Sequence, residues 1–127
     1  ATVEGQVEAA YLESWDVYAH AVYHLELDEQ AFAQVYAGEH LQTKRSELRR
    51  RMRNLEAAWV RVEHDYVITM SGSTTARLVD NYRNHQVLID SETREPVEPD
   101  PNEVVLRLVT LELIDGSWRV TLVQDLE

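Results

Sequence analysis

The chain has no cysteine, four glycines, three prolines and one phenylalanine in 127 residues, and 12 basic residues stand against 23 acidic ones. Each shortage removes a class of chemistry. Without thiols there is no disulfide framework, no thiolate metal site and no cysteine nucleophile, and the absence fits either redox compartment. Four glycines are too few for a phosphate-cradling loop, and no serine stands in nucleophile-elbow spacing. A net charge of −11 opposes nucleic acid, whose counterions are displaced by Lys and Arg, and it disfavours anionic lipid. No run approaches the ~18 apolar residues of a membrane-spanning helix. Neither a nucleic-acid partner nor insertion of this domain into a membrane is expected.

What is present is enough to build a core. Hydrophobic residues make up 44% of the chain, with three Trp and six Tyr, which excludes an acidic disordered polymer. A chain of this size buries about two-thirds of its unfolded surface, without metal or disulfide support. One domain over residues 1–127 is expected, with helices over about 3–57 and a sheet over about 59–125.

Val7, Tyr11, Trp15, Tyr18, Val22 and Leu25 recur in steps of three and four, one stripe of an amphipathic helix with no Gly or Pro after Gly5. Asp28 is placed to cap a short second helix carrying Phe32, Val35 and Tyr36, which Gly38 is expected to stop. Leu41, Leu48, Met52 and Leu55 mark a third helix from Glu39 to about Ala57. Val60, Val62, His64, Tyr66, Ile68 and Met70 then alternate with mostly polar residues, the period of a half-buried strand, and Ser71-Gly72-Ser73 reads as a hairpin turn. Ala76, Leu78, Asp80 and Tyr82 share one parity, whereas Val87 and Ile89 share the other. That switch predicts a bulge or break at residues 83–86. All three prolines and five acids fall in Asp90–Asn102, an exposed loop. Val104–Ile114 is almost continuously apolar, as in a central strand, and Asp115-Gly116 turns it back into Trp118, Val120 and Leu122. The predicted class is α+β, N-terminal helices packed on a curved four-stranded antiparallel sheet.

This order, the Tyr-rich first helix and the closing Asp115-Gly116-Ser117-Trp118-Arg119-Val120 resemble the NTF2-like superfamily of cone-shaped domains, which includes ketosteroid isomerase, scytalone dehydratase and the SnoaL cyclases. Trp15, Gly38-Glu39-His40-Leu41 and the segment from Tyr82 to Pro101 look more narrowly like the intermembrane-space domain of plastid-division proteins and its bacterial relatives. The superfamily resemblance implies a cone with the first helix across a concave sheet. The narrower one implies a non-enzymatic binding module outside the cytosol. Fold alone assigns no catalytic residue.

Three constellations carry chemistry. In a cone, Trp15 and Tyr18 from the first helix would meet His64, Tyr66, Asp80 and Tyr82 from the sheet. A carboxylate in such an apolar pocket would have a raised pKa and serve as acid or base, with Tyr and His as oxyanion donors. Tyr18 stands on the helix where the isomerase branch carries a pocket tyrosine. No second carboxylate aligns, however, and neither that branch's Asp base nor the dehydratase His-Asp pair maps onto this chain. The bland alternative is that the aromatics fill the cone while Asp80 and His64 bond each other. His20 and His24 share a helix face at metal-ligand spacing but lack a third ligand, so no metal is expected. Lys44, Arg45, Arg49, Arg50, Arg51 and Arg53 place six of the chain's bases in ten residues against the single acid Glu47. Arg45, Arg49, Arg50 and Arg53 form a face that would steer an acidic partner or a second copy, or else pair with the domain's own acids.

The leading expectation is a non-catalytic binding or interaction module with a partly apolar cone pocket, no cofactor, and a homodimer through the open sheet face. A protein partner or a small apolar ligand would be its target. Because the chain starts at Ala1 and not at Met, an upstream segment bearing an anchor is expected, which would make this the extracytoplasmic part of a larger protein. The alternative is a small isomerase, dehydratase or cyclase on an apolar carbonyl compound, using Asp80 as base and Tyr18, Tyr66 and His64 as donors.

Overall fold

The computed structural model describes residues 2–126. Helices α1 (Val3–His24), α2 (Glu29–Val35) and α3 (Gly38–Arg53) precede strands β1 (Ala58–Trp59), β2 (Val62–Glu63), β3 (Tyr66–Met70), β4 (Thr75–Asn84), β5 (Val87–Leu88), β6 (Glu103–Ile114) and β7 (Ser117–Asp125). The Thr2 side chain accepts from the Gly5 amide at 3.0 Å and caps α1. Leu25, at φ 53°, ends it in the left-handed conformation, its amide bonded to the Ala21 carbonyl. Val7, Tyr11, Tyr18 and Val22 of the apolar stripe are buried, and Trp15 is half-buried.

Asp28 caps α2 as expected, its side chain accepting from the Ala31 amide at 3.1 Å. Gly38 does not stop that helix. α2 ends at Val35, Tyr36 turns extended and bridges to Val120, and the Ala37 amide donates to the Val120 carbonyl at 3.1 Å. Gly38, at φ 62°, then opens α3. Bonding to the last strand, absent from any local pattern, sets the boundary. α3 closes at Arg53, before Ala57, and Leu55 turns the chain at φ 55°.

The run expected as one strand over 60–70 is divided. β2 and β3 both pair with β4, and the main sheet runs β2/β3–β4–β6–β7, all antiparallel. The expected four runs therefore make a five-stranded sheet, and β1 and β5 pair separately. The division falls at His64-Asp65, where the Asp65 amide leaves the ladder to donate to Asp80 Oδ1 at 3.0 Å. Inward parity survives it, because Val62, His64, Tyr66, Ile68 and Met70 are all partly buried. The predicted parity switch is a break between β4 and β5, where Asn84 Oδ1 accepts the Gln86 amide at 2.9 Å. A register shift at Thr110/Leu111 in the β6–β7 ladder is the main irregularity of the long strands. Asp115 and Gly116, at φ 50° and 83°, form the primed turn that matches strand twist.

The helices cover the face on which Ala76, Leu78, Val109, Leu111, Trp118 and Val120 meet Val7, Val22, Phe32 and Leu48. A smaller cluster of Ala57, Val87 and Ile89 lies against Tyr23 and Leu25. The 90–102 loop is tied to the sheet edge through Asp100, which meets His85 at 2.8 Å and Arg61 at 3.2 Å, while His85 also meets Glu63 at 2.6 Å. Leu78→Ala, at a fully buried position in β4, is expected to lower stability by about 2–5 kcal/mol in urea unfolding with an unchanged m-value. Val67→Ala, on the outer face at 71% exposure, should cost less than about 0.5 kcal/mol.

Candidate functional site

Two compartments adjoin where α1 crosses the sheet. The first is a cluster around Asp80, whose side chain is fully buried on the inner face of β4. Tyr11 donates its hydroxyl to Asp80 Oδ2 at 2.6 Å, His64 Nδ1 meets the same oxygen at 2.6 Å, and the Asp65 amide takes Oδ1 at 3.0 Å. Burial pushes the Asp80 pKa up, but these three donors outweigh it and hold the carboxyl below the ordinary carboxylate value. Asp80 is therefore ionised, and His64 presents Nδ1–H to it. Tyr11, Trp15, Tyr66 and Tyr82 surround the His64 ring at centroid distances of 5.3–6.3 Å, in edge-on or tilted arrangements. Burial, with the bond to Asp80 second, drives the Tyr11 phenol far above its usual value. Tyr66 reaches outward and donates to Glu8 at 2.7 Å.

The second compartment is a cavity of about 310 Å³ between α1, the start of α3, and strands β6 and β7. Tyr11, Trp15, Tyr36, Val109, Val120 and Val123 supply its apolar wall, and Ser14, Tyr18, His40, Lys44, Arg107 and Asp125 its polar one. Of the residues expected in a pocket, Trp15 and Tyr18 line this cavity. His64, Tyr66, Asp80 and Tyr82 do not: they lie behind Tyr11 and Trp15 in the first compartment. The expectation of an Asp80 exposed to a ligand as a raised-pKa base is corrected on this point, because its oxygens are occupied from within.

Several cavity groups are positioned by the protein itself. Tyr36 donates to the Ser14 carbonyl at 3.1 Å, and the Ser14 hydroxyl donates to the Tyr11 carbonyl at 2.6 Å. Tyr18 donates to Glu47 at 2.5 Å, and burial followed by the Glu47 charge raises its pKa strongly. Lys44 Nζ stands 3.5 Å from Glu47 and 4.2 Å above the Tyr18 ring centroid. Burial lowers the Lys44 pKa. His40 packs edge-on to Tyr36 at 5.3 Å and is held neutral, its value lowered to about 4 by burial first and then by the Lys44 and Arg107 charges. Arg107, opposite Asp80 in the β4–β6 register, donates its Nε to Asp125 at 2.7 Å and lies over Tyr82 at 5.4 Å. Sequence reading did not single out His40, Lys44 and Arg107 for this site. Lys44 belongs by sequence to the basic cluster, His40 to a family-like tetrapeptide, and Arg107 interrupts an apolar strand at an inward position, which is the available signal.

The basic face is largely partnered. Arg45 and Arg49 reach Glu29 of α2 at 3.2 and 3.7 Å, and Arg50 reaches Glu56 at 3.4 Å. Arg53 joins no ion pair among the described residues. The His20 and His24 rings stand 4.4 Å apart, and among the described residues no three His, Asp or Glu side chains converge as metal ligands.

No family profile and no curated protein matches this sequence. Solved structures do match it in shape. The intermembrane space region of chloroplast protein ARC6 superposes with a TM-score of 0.68 at 10% identity, over 98% of this chain and 97% of its own. A domain of unknown function with a cystatin-like fold from Nostoc punctiforme gives 0.61 at 13% identity, over 98% and 78%. An NTF-2-like protein of unknown function from Shewanella oneidensis gives 0.58 at 11%, over 98% of each chain. The chain has the NTF2-like, cystatin-like α+β fold that its order of elements implied.

The Asp80 cluster yields a direct test. Tyr11→Phe is expected to cost about 1.5–3 kcal/mol in urea unfolding, as one donor to a buried carboxylate is lost. Because the folded pKa of Asp80 lies below its unfolded value of about 3.9, its stabilisation is complete above that value and disappears as pH falls through the depressed one. Asp80→Asn should therefore be less stable at neutral pH and show a flatter acid limb in stability measured against pH.

Proposed function

We propose that this chain is a non-catalytic binding module whose cone holds a small, partly apolar molecule, and that it forms the extracytoplasmic part of a larger or anchored protein. The observation that carries this reading is the separation of the two compartments. A cavity of about 310 Å³ reaches the lower range of small-molecule sites, and it is walled by aromatics with a few convergent polar groups. Asp80, the base of the acid–base alternative, lies outside that wall, ionised and occupied by three donors. A general base near neutral pH needs both a matched pKa and reach to the substrate, and Asp80 offers neither. Likeness in fold to an intermembrane space region supports the extracytoplasmic placement.

The sheet face turned away from the helices supports a homodimer. Val67 on β3 and its register partner Val79 on β4 are exposed there, beside half-buried Leu108 on β6. Arg53 at the end of α3 remains available to an acidic partner, whereas Arg45, Arg49 and Arg50 already have acids of the chain beside them.

In ¹H–¹⁵N spectra, small aromatic fragments are expected to shift the Trp15 indole and the amides around His40 and Val120. Asp80→Asn should leave their affinity within about threefold, provided the variant is folded. Hits confined to other surfaces, or none from a broad fragment set, would remove the cavity reading. Sedimentation should show a dimer that Val79→Lys converts to monomer, and a wild-type monomer at high concentration would remove the dimer.

A further inference from the structure

The cavity wall holds more hydrogen-bond donors than the protein uses. Lys44 has three N–H bonds, and its one carboxylate neighbour, Glu47, stands at 3.5 Å, an ion pair longer than a charge-assisted hydrogen bond. Its ammonium lies over the Tyr18 ring, and its side chain is only 18% exposed. Arg107 gives Nε to Asp125, while its two terminal amino groups have no acceptor among the described residues. Its side chain is 30% exposed and rests on Tyr82. The His40 ring makes no hydrogen bond among the described residues although it is half-buried. Three donor side chains from α3 and β6 thus face one space with unmet capacity. Leaving such groups partly desolvated without an acceptor costs free energy that an incoming anion would recover.

We propose that the cavity takes a carboxylate carried on a flat apolar body, with Lys44 and Arg107 gripping the carboxylate, His40 adding a neutral donor, and Trp15, Tyr36 and Val120 enclosing the rest. This deepens the binding reading above and rests on it. A monoanion fits better than a phosphate dianion because each cation already has one acid beside it, Glu47 or Asp125, so the site offers free N–H donors but no net positive charge to balance a second negative one. The guanidinium edge also matches the planar, two-oxygen geometry of a carboxylate. Burial depresses the Lys44 pKa, and a bound anion would favour its charged form, so binding should draw a proton onto the protein where Lys44 is part-deprotonated.

The test compares 2-naphthoate with 2-naphthamide, which share a shape and differ in charge, by calorimetry on the wild-type protein together with amide shifts. Naphthoate is expected to bind about tenfold tighter or more, the scale of one charge-assisted hydrogen bond. High salt should erode this preference, and Lys44→Met or Arg107→Met should reduce it to under about threefold by weakening naphthoate more than naphthamide. Equal affinities, with shifts at the cavity amides, would overturn the carboxylate assignment and leave the cavity reading intact. A clear preference for 2-naphthyl phosphate over naphthoate would also overturn it. If neither ring compound shifts the cavity amides, the cavity reading falls and the assignment falls with it. Should a Met variant fail to fold, the wild-type comparison and its salt dependence still decide.

Discussion

A single buried carboxylate organises the junction between helix and sheet. Asp80 sits on the inner face of β4 where an apolar residue would ordinarily be, and an ionised group there is tolerated only with its oxygens supplied with donors. One comes from α1 (Tyr11), one from the segment between β2 and β3 (His64), and one from the backbone beside it (Asp65). The hydroxyl at the end of Tyr11 fixes how α1 lies over the strands. The Asp65 amide, drawn out of the ladder, ends β2 and starts β3. Removing one donor would leave the remaining charge underserved, which is why such a cluster specifies geometry more than it adds net stability.

That junction also explains why the cavity lies where it does. With Tyr11 and Trp15 committed to the Asp80–His64 side, the opposite flank of α1 is closed by α3 and by β7. The short α2–α3 connection bonds to Val120, and this brings His40 and Lys44 over the inner face of β6 and β7. Tyr36 and Tyr18, each donating to a protein acceptor, act as fixed walls and not as free ligand donors. The polar groups left free are the ones on α3 and β6.

Much of the fold was legible because it rests on local periodicity. The stripe from Val7 to Val22, the Asp28 cap, the parity switch after Tyr82 and the Asp115-Gly116 turn each depend on residues close in sequence. The failures share a cause. Gly38 changed role because Val120, more than 80 residues away, bonds to the segment before it, and the first strand broke because a buried side chain on its neighbour claimed its amide. The site was half legible for the same reason. Period-two alternation put His64, Asp80 and Tyr82 on the inner face correctly but could not tell that Tyr11 and Trp15 would stand between them and the open space. Lys44 was hidden by its neighbours: in a run of arginines of which Arg45, Arg49 and Arg50 pair with Glu29 and Glu56 on the surface, it turns its ammonium over Tyr18.

The cavity does not share the chain's excess of acid. Acids outnumber bases almost two to one, yet the cavity lining sets Lys44 and Arg107 evenly against Glu39 and Asp125, and the rest of the excess lies elsewhere on the surface. At physiological ionic strength the repulsion between an anion and remote surface carboxylates is screened beyond about 8 Å. Contacts inside the cone are made at hydrogen-bond distance, in a medium where charge interactions are several times stronger than in water. Net charge therefore governs what the outer surface avoids, nucleic acid and anionic lipid among them, and carries little information about what the interior receives. Near the mouth, the same acids would slow the approach of a multiply charged anion more than that of a singly charged one, so the outer field and the inner donors select the same kind of molecule.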